Sequence, residues 1–230
     1  MPAVGGRRIC ARMARERDRM SRRALLALLL TAMFAPLCAA EAPDPAPFAE
    51  SRAALRYWPV VTEHTHRREV SMEATSRPLR RFNAPRPTAR ADNPTRRHVG
   101  VDLFANAGDA VVAVEDGRIL ALYPFLRAAT GEMSYALIVA HEGYVANYGE
   151  VRASSLRARG LALGDAVRGG QEIAEISDTS QLHFETYLAG TTRNQSWRHG
   201  AARPPRVLDP TRLLLDLVQT GQRLSPAASD

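Results

Sequence analysis

Lysine is absent from this 230-residue chain, whose 31 basic residues are all arginine, so no ε-amine is available for covalent attachment of a carrier group. Cysteine is nearly absent as well. Cys10 and Cys38 both fall in the first 40 residues, and the remainder needs no disulfide machinery and can work in an oxidising space. No apolar run approaches the roughly 20 residues that span a bilayer. With 45% hydrophobic and 24% charged residues, the composition excludes wholesale disorder, collagen and a polytopic membrane protein. The net charge of +7 is unevenly placed: residues 1–23 hold eight Arg against Glu16 and Asp18, and residues 41–230 net only +1. A nucleic-acid footprint needs basic residues clustered on the folded body, so no nucleic-acid partner is expected.

The basic start leads into an apolar stretch of about a dozen residues, Ala24 to Ala35, and then into small residues at Cys38-Ala39-Ala40. That order describes a secretory signal peptide over residues 1–40. Met20 is a candidate initiator, because a chain starting there has a short basic n-region. Ser21-Arg22-Arg23 resembles a twin-arginine signal, but the Leu-rich centre favours the general route. Bulky Leu37 argues against a lipid anchor on Cys38. The mature chain is thus expected to be exported, periplasmic or extracellular, with no membrane span after cleavage.

Residues 41–95 read as a Pro/Arg-rich arm or linker. Prolines at 43, 45, 47, 59, 78, 85, 87 and 94 leave little room for long helix or sheet. Residues 51–97 net +7, against −3 for residues 98–230. The arm is either a solvated linker, a tether to an anionic envelope polymer, or a segment folded back over the active face.

From residue 96 to 218 the texture becomes short β-type runs, followed by a tail over 219–230. Ala110–Val114 and Arg118–Tyr123 around Asp116-Gly117 read as a hairpin. Tyr135–His141 with Tyr144–Tyr148, and Leu161–Val167 with Gln171–Ile176, read as two more. Gln181–Tyr187 is a further strand, and Asp209-Pro210 opens a short C-terminal helix. The predicted fold is all-β, a small antiparallel sandwich or barrel of hairpins.

Two local patterns carry chemistry. His98-Val99-Gly100-Val101-Asp102 lies at the edge of the first strand of this region. In Gln181-Leu182-His183-Phe184-Glu185, residues 181, 183 and 185 share one face, because strand side chains alternate. Two imidazoles and a carboxylate are a donor set for zinc that leaves a fourth position open. Glu185 reads as a partner orienting a ligand. His141 reads as a strand-end residue outside the ligand set, and His64, His66 and His199 as solvent-exposed.

From about Arg96 to Leu217 the chain resembles the lysostaphin-type zinc metallopeptidases, which cut peptide cross-links in bacterial peptidoglycan. His98-Val99-Gly100-Val101-Asp102 matches the family's His-x-Gly-x-Asp signature. Gly108-Asp109-Ala110-Val111 with Asp116-Gly117-Arg118-Ile119, and Gly164-Asp165-Ala166-Val167 with Gly170-Gln171-Glu172-Ile173, match its hairpin framework. Leu182-His183-Phe184-Glu185 matches the end of its His-x-His-Phe-Glu motif. The resemblance implies a lysostaphin-like fold with a duplicated hybrid motif, Zn2+ as cofactor, and His98, Asp102 and His183 as its ligands.

Two positions depart from the family. Tyr148-Gly149-Glu150-Val151 places Glu150 where a histidine is usual, and Gln181 replaces a histidine two residues before the last ligand. In the catalytic reading, Glu150 is the general base and Gln181 donates an amide hydrogen bond to the developing oxyanion. The expected function is then a zinc-dependent endopeptidase acting on peptidoglycan peptide cross-links. The alternative is a catalytically impaired domain that binds peptidoglycan or regulates another wall hydrolase. A latent form with an arm residue such as Asn83 in the open zinc position has little support. The third hairpin also resembles lipoyl and biotinyl carrier domains, which the absence of lysine excludes.

Overall fold

The computed structural model describes residues 56–62, 78–87 and 94–219, all within one compact unit, Asp44–Asp230. The expected signal peptide, both cysteines, His64 and His66 lie outside the described residues.

Among the described residues, three antiparallel sheets make up the body. The largest is built on β6 (Gly117–Arg127), β7 (Met133–His141), β8 (Tyr144–Val151) and β11 (Gln181–Leu188), with β9 (Ala166–Val167) beside β6 and β13 (Val207–Leu208) beside β11. Strand β4 (Gly100–Phe104) also pairs with β11, over residues 181–185. A second sheet joins β1 (Val60–Val61), β5 (Ala110–Val112) and β10 (Glu172–Glu175); a third joins β2 (Pro85–Pro87), β3 (Pro94–Arg97) and β12 (Trp197–Arg198). Helices are minor: α1 (Ser155–Ala158) and α2 (Thr211–Gln219). The all-β class and the closing helix are as expected from the sequence. No helix among the described residues is long and apolar enough to cross a membrane.

Only the middle hairpin has its expected partners: β7 and β8 pair across the Glu142-Gly143 turn, from Ala140↔Val145 to Tyr135↔Val151. The other two are corrected. The turn at Asp116-Gly117 sends β5 into the second sheet and β6 into the first, and Gly169-Gly170 likewise separates β9 from β10. Local turn chemistry marks where the chain reverses, but apolar burial on two separate sheets decides which strands pair.

The core lies between the first two sheets, with Val60, Val111, Ile119, Leu137, Ile138, Ile173 and Ile176 each fully buried. Truncating one of these large side chains to alanine costs about 2–5 kcal/mol. Phe184 on β11 packs edge-on against Tyr148 on β8 at 5.4 Å, which seats the back of β11 in apolar contacts and leaves its front for polar groups. In α2, Asp209 accepts the Thr211 N–H at 2.8 Å, a side-chain cap, while Leu213, Leu214 and Leu217 are buried.

Candidate metal centre

Strand β11 runs between β4 and β8, and its register sets the site. His183 lies opposite Asp102 on one side and Gly149 on the other; two residues on, Glu185 lies opposite Gly100 and Asn147. Glycine at 100 is a steric requirement, because a Cβ there would stand 2.5 Å from the Phe184 carbonyl oxygen. The close approach of β4 to β11 brings Asp102 beside His183. His98 arrives from the residues just before β4, held by backbone bonds from Asn83 N–H to its carbonyl and from its own N–H to the Ala84 carbonyl.

Three donor atoms converge. His98 Nε2 and His183 Nδ1 are 3.1 Å apart, Asp102 Oδ1 is 3.1 Å from the first and 2.7 Å from the second, and all three residues are buried. Bonds of about 2.0–2.2 Å to a tetrahedral zinc place neighbouring donors roughly 3.2–3.5 Å apart, so the cluster fits such an ion after a small expansion. The outer contacts fit too. His98 Nδ1 donates to the Arg81 carbonyl at 2.8 Å, directing its other nitrogen at the cluster. His183 Nε2 bonds Glu185 Oε1 at 2.7 Å, a carboxylate–histidine arrangement typical of metal sites. Glu185 is held in turn by Asn147 Nδ2 at 2.5 Å and the Tyr187 hydroxyl at 2.7 Å.

Burial acts to lower the pKa of His183, but Glu185 and Asp102 outweigh it and the value is pushed up to about 10. His98 is lowered by burial, against the pull of Asp102. Burial acts to raise Asp102, yet the two histidines hold it well below the usual carboxylate range.

The cluster opens onto a cleft of ≈ 230 Å³ lined also by Arg86, Phe125, Glu150, Gln181 and Trp197. Glu150 is buried and sits at φ 69°, the left-handed region that costs a side chain about 1–2 kcal/mol. Gln181 Nε2 donates to its Oε1 at 2.8 Å. Burial raises the Glu150 pKa against the opposing pull of His183. His98, Asp102, Glu150, Gln181 and His183 thus lie at one cleft, with Glu185 beside them.

Arg86 was not singled out. Its guanidinium pairs with Asp102 Oδ2 and reaches His98 Nε2 at 2.8 Å. That lone pair cannot serve Arg86 and a metal together. Flanked by Pro85 and Pro87, Arg86 carried no pattern in the sequence. Asn83 is exposed, and its carbonyl accepts from Arg97 at 3.1 Å. His141 stands apart from the cluster, buried, with Nδ1 3.0 Å from the Asp116 carbonyl and Nε2 3.0 Å from the Tyr148 hydroxyl.

Residues 96–195 match the family model described as peptidase family M23. Over these residues the chain is similar to peptidase family M23. The matched region contains the whole donor cluster, from His98 to His183, together with Glu150 and Gln181. Among solved structures, Csd3 of Helicobacter pylori is similar at 21% identity and a TM-score of 0.39, covering 73% of this chain and 40% of its own. A zinc-containing peptidase from Vibrio cholerae is similar at 23% identity and a TM-score of 0.42, covering 66% of this chain and 41% of its own. The catalytic domain of lysostaphin, an antimicrobial peptidase from Staphylococcus simulans, is similar at 21% identity and a TM-score of 0.36, covering 59% of this chain and 89% of its own. The chain therefore spans less than half the length of the first two. No curated protein sequence matches it.

Proposed function

We propose that this protein is an exported zinc-dependent endopeptidase that hydrolyses peptide bonds in bacterial peptidoglycan. The observation that carries the reading is the convergence of His98 Nε2, Asp102 Oδ1 and His183 Nδ1, within 3.1 Å of one another, at a cleft. In this reading those three residues are the ligands, residues 1–40 are the leader, and the arm of residues 41–95 contributes β1 and β2 to the folded unit.

A zinc ion held there supplies Lewis acidity toward a carbonyl oxygen and an acidified water. The protein's own groups do the rest. Glu150 is the general base, and its raised pKa brings it closer to the working pH of a proton acceptor. Gln181 orients that carboxylate through one amide N–H and keeps a second N–H for the developing oxyanion. Glu185 accepts from His183 Nε2 and holds the ring with Nδ1 toward the ligand set.

The test is metal content and muropeptide release from sacculi by the full chain, with and without Glu150→Ala. One zinc per chain, with release lost in a variant that keeps its zinc, supports the enzyme. Zinc without release in the unaltered chain moves the assignment to a non-hydrolytic regulator of another wall hydrolase.

A further inference from the structure

The third sheet carries a row of like charges beside the metal centre. Arg86 on β2 lies opposite Arg96 on β3, and Arg96 lies opposite Arg198 on β12, so the three residues share one cross-strand row. Like charges directly opposite one another destabilise a sheet. Among the described residues, only the inner end of this row is neutralised, by the Arg86 pair with Asp102. Among the described residues, Arg96 and Arg198 form no ion pair, and both are exposed. Arg96 and Arg97 also line the cleft.

The acids of the cleft do not balance them. Asp102, Glu150 and Glu185 are buried and hydrogen-bonded to His183, Gln181 and Tyr187 respectively. What the cleft offers an incoming molecule on this side is therefore guanidinium, which matches a carboxylate in planar, two-bond geometry.

We infer that Arg96 and Arg198, the outer members of this row, form a carboxylate-binding wall, and that the substrate is a peptide bearing a free carboxylate near the bond presented to His98, Asp102 and His183. Neighbouring strands lie about 4.8 Å apart, so the row extends roughly 10 Å from Arg86, about three residues of an extended peptide. The carboxylate belongs within that distance of the scissile bond. This rests on the peptidase reading and deepens it by naming the substrate's charge.

The test uses the full, zinc-treated chain and two capped, fluorescein-labelled peptides of Ala and Gly that differ only in one Glu or Gln at the same position. Fluorescence anisotropy is expected to show the Glu peptide bound at least about tenfold more tightly, as charged hydrogen bonds allow. The preference is expected to shrink toward unity in the Arg96→Gln/Arg198→Gln double variant and at high salt. Loss of like-charge repulsion is expected to leave the melting temperature of that variant unchanged or higher, which separates lost recognition from lost folding. Equal or undetectable binding of both peptides overturns the inference. If inorganic polyphosphate then binds the chain but not the double variant, the row is a polyanion surface and not a substrate wall. Zinc content and muropeptide release report on the enzyme reading separately: a Glu preference in a chain that releases nothing keeps the wall and loses the enzyme.

Discussion

Glu185 accepts the Nε2 proton of His183 at 2.7 Å from two residues along the same strand. Strand alternation puts both side chains on one face, so this contact is built into β11 before any tertiary partner arrives. The same alternation brings the Tyr187 hydroxyl to this carboxylate at 2.7 Å, and tertiary structure adds Asn147 from β8 at 2.5 Å.

Glu185→Gln keeps the shape of this side chain and removes its charge. Outer-shell partners of metal ligands are worth about 10–100-fold in metal affinity. Zinc affinity, measured by competition with a chromophoric chelator, is expected to fall by that factor. Unchanged affinity would show that Glu185 has no part in holding the ligand.

Glu150 supports two comparisons. Glu150→Gln is expected to lower muropeptide release by about 10²–10⁴-fold, the usual worth of a general base, with zinc content unchanged. In the unaltered protein the acid limb of kcat/KM is expected above the usual carboxylate range, because burial favours the protonated acid and the base must be deprotonated to act. Backbone strain gives the second comparison. At φ 69°, Glu150→Gly is expected to be about 1 kcal/mol more stable than Glu150→Ala, since only glycine adopts that conformation freely. Equal urea midpoints for the two variants would remove the strain argument.

Gly100→Ala tests the approach of β4 to β11. Its added Cβ would meet the Phe184 carbonyl oxygen at 2.5 Å and Glu185 Cγ at 2.8 Å. The strands must separate or the backbone must shift, at a cost of about 1–3 kcal/mol, and Asp102 moves away from His183. Chemical denaturation is expected to register the loss of stability, and elemental analysis a zinc content below that of the unaltered protein. Full zinc loading at unchanged stability would contradict the role given to this glycine.

His141 is buried, with Arg56, Glu115, Tyr144 and Tyr148 around it, and burial lowers its pKa from the ordinary 6.5. Below pH 6.5 the unfolded chain takes up a proton there that the folded chain resists. The stability contributed by neutral His141 is therefore complete above 6.5 and is lost as the pH falls through the lower folded value. Urea midpoints from pH 7.5 to 5 are expected to fall more steeply for the unaltered protein than for His141→Gln. Parallel curves would show that His141 is not the group responsible.

The strand content and the residue types that meet at the cleft were legible because both are local in character. Alternation in Gln181 to Glu185 places three polar residues on one face of a strand whatever its neighbours, and the spacing of His98, Gly100 and Asp102 keeps its meaning over a short extended stretch. The hairpins show the limit of such reading. Glycine turns at 117 and 170 appear in the sequence, but the partners of β5, β6, β9 and β10 are chosen by which sheet buries Val111, Ile119 and Ile173.

Arg86 and the Arg81 carbonyl mark the other limit. A backbone oxygen has no letter in a sequence, and an arginine between two prolines has no periodicity to announce it, yet both touch the cluster. By itself the sequence determined the chemical types of the donors, because side-chain identity is local. Tertiary structure alone decided their separations, the burial that perturbs their pKa values, and the placing of Arg86 and Arg96 at the cleft. These depend on strand register between segments 85 residues apart in the chain, and register is settled by packing.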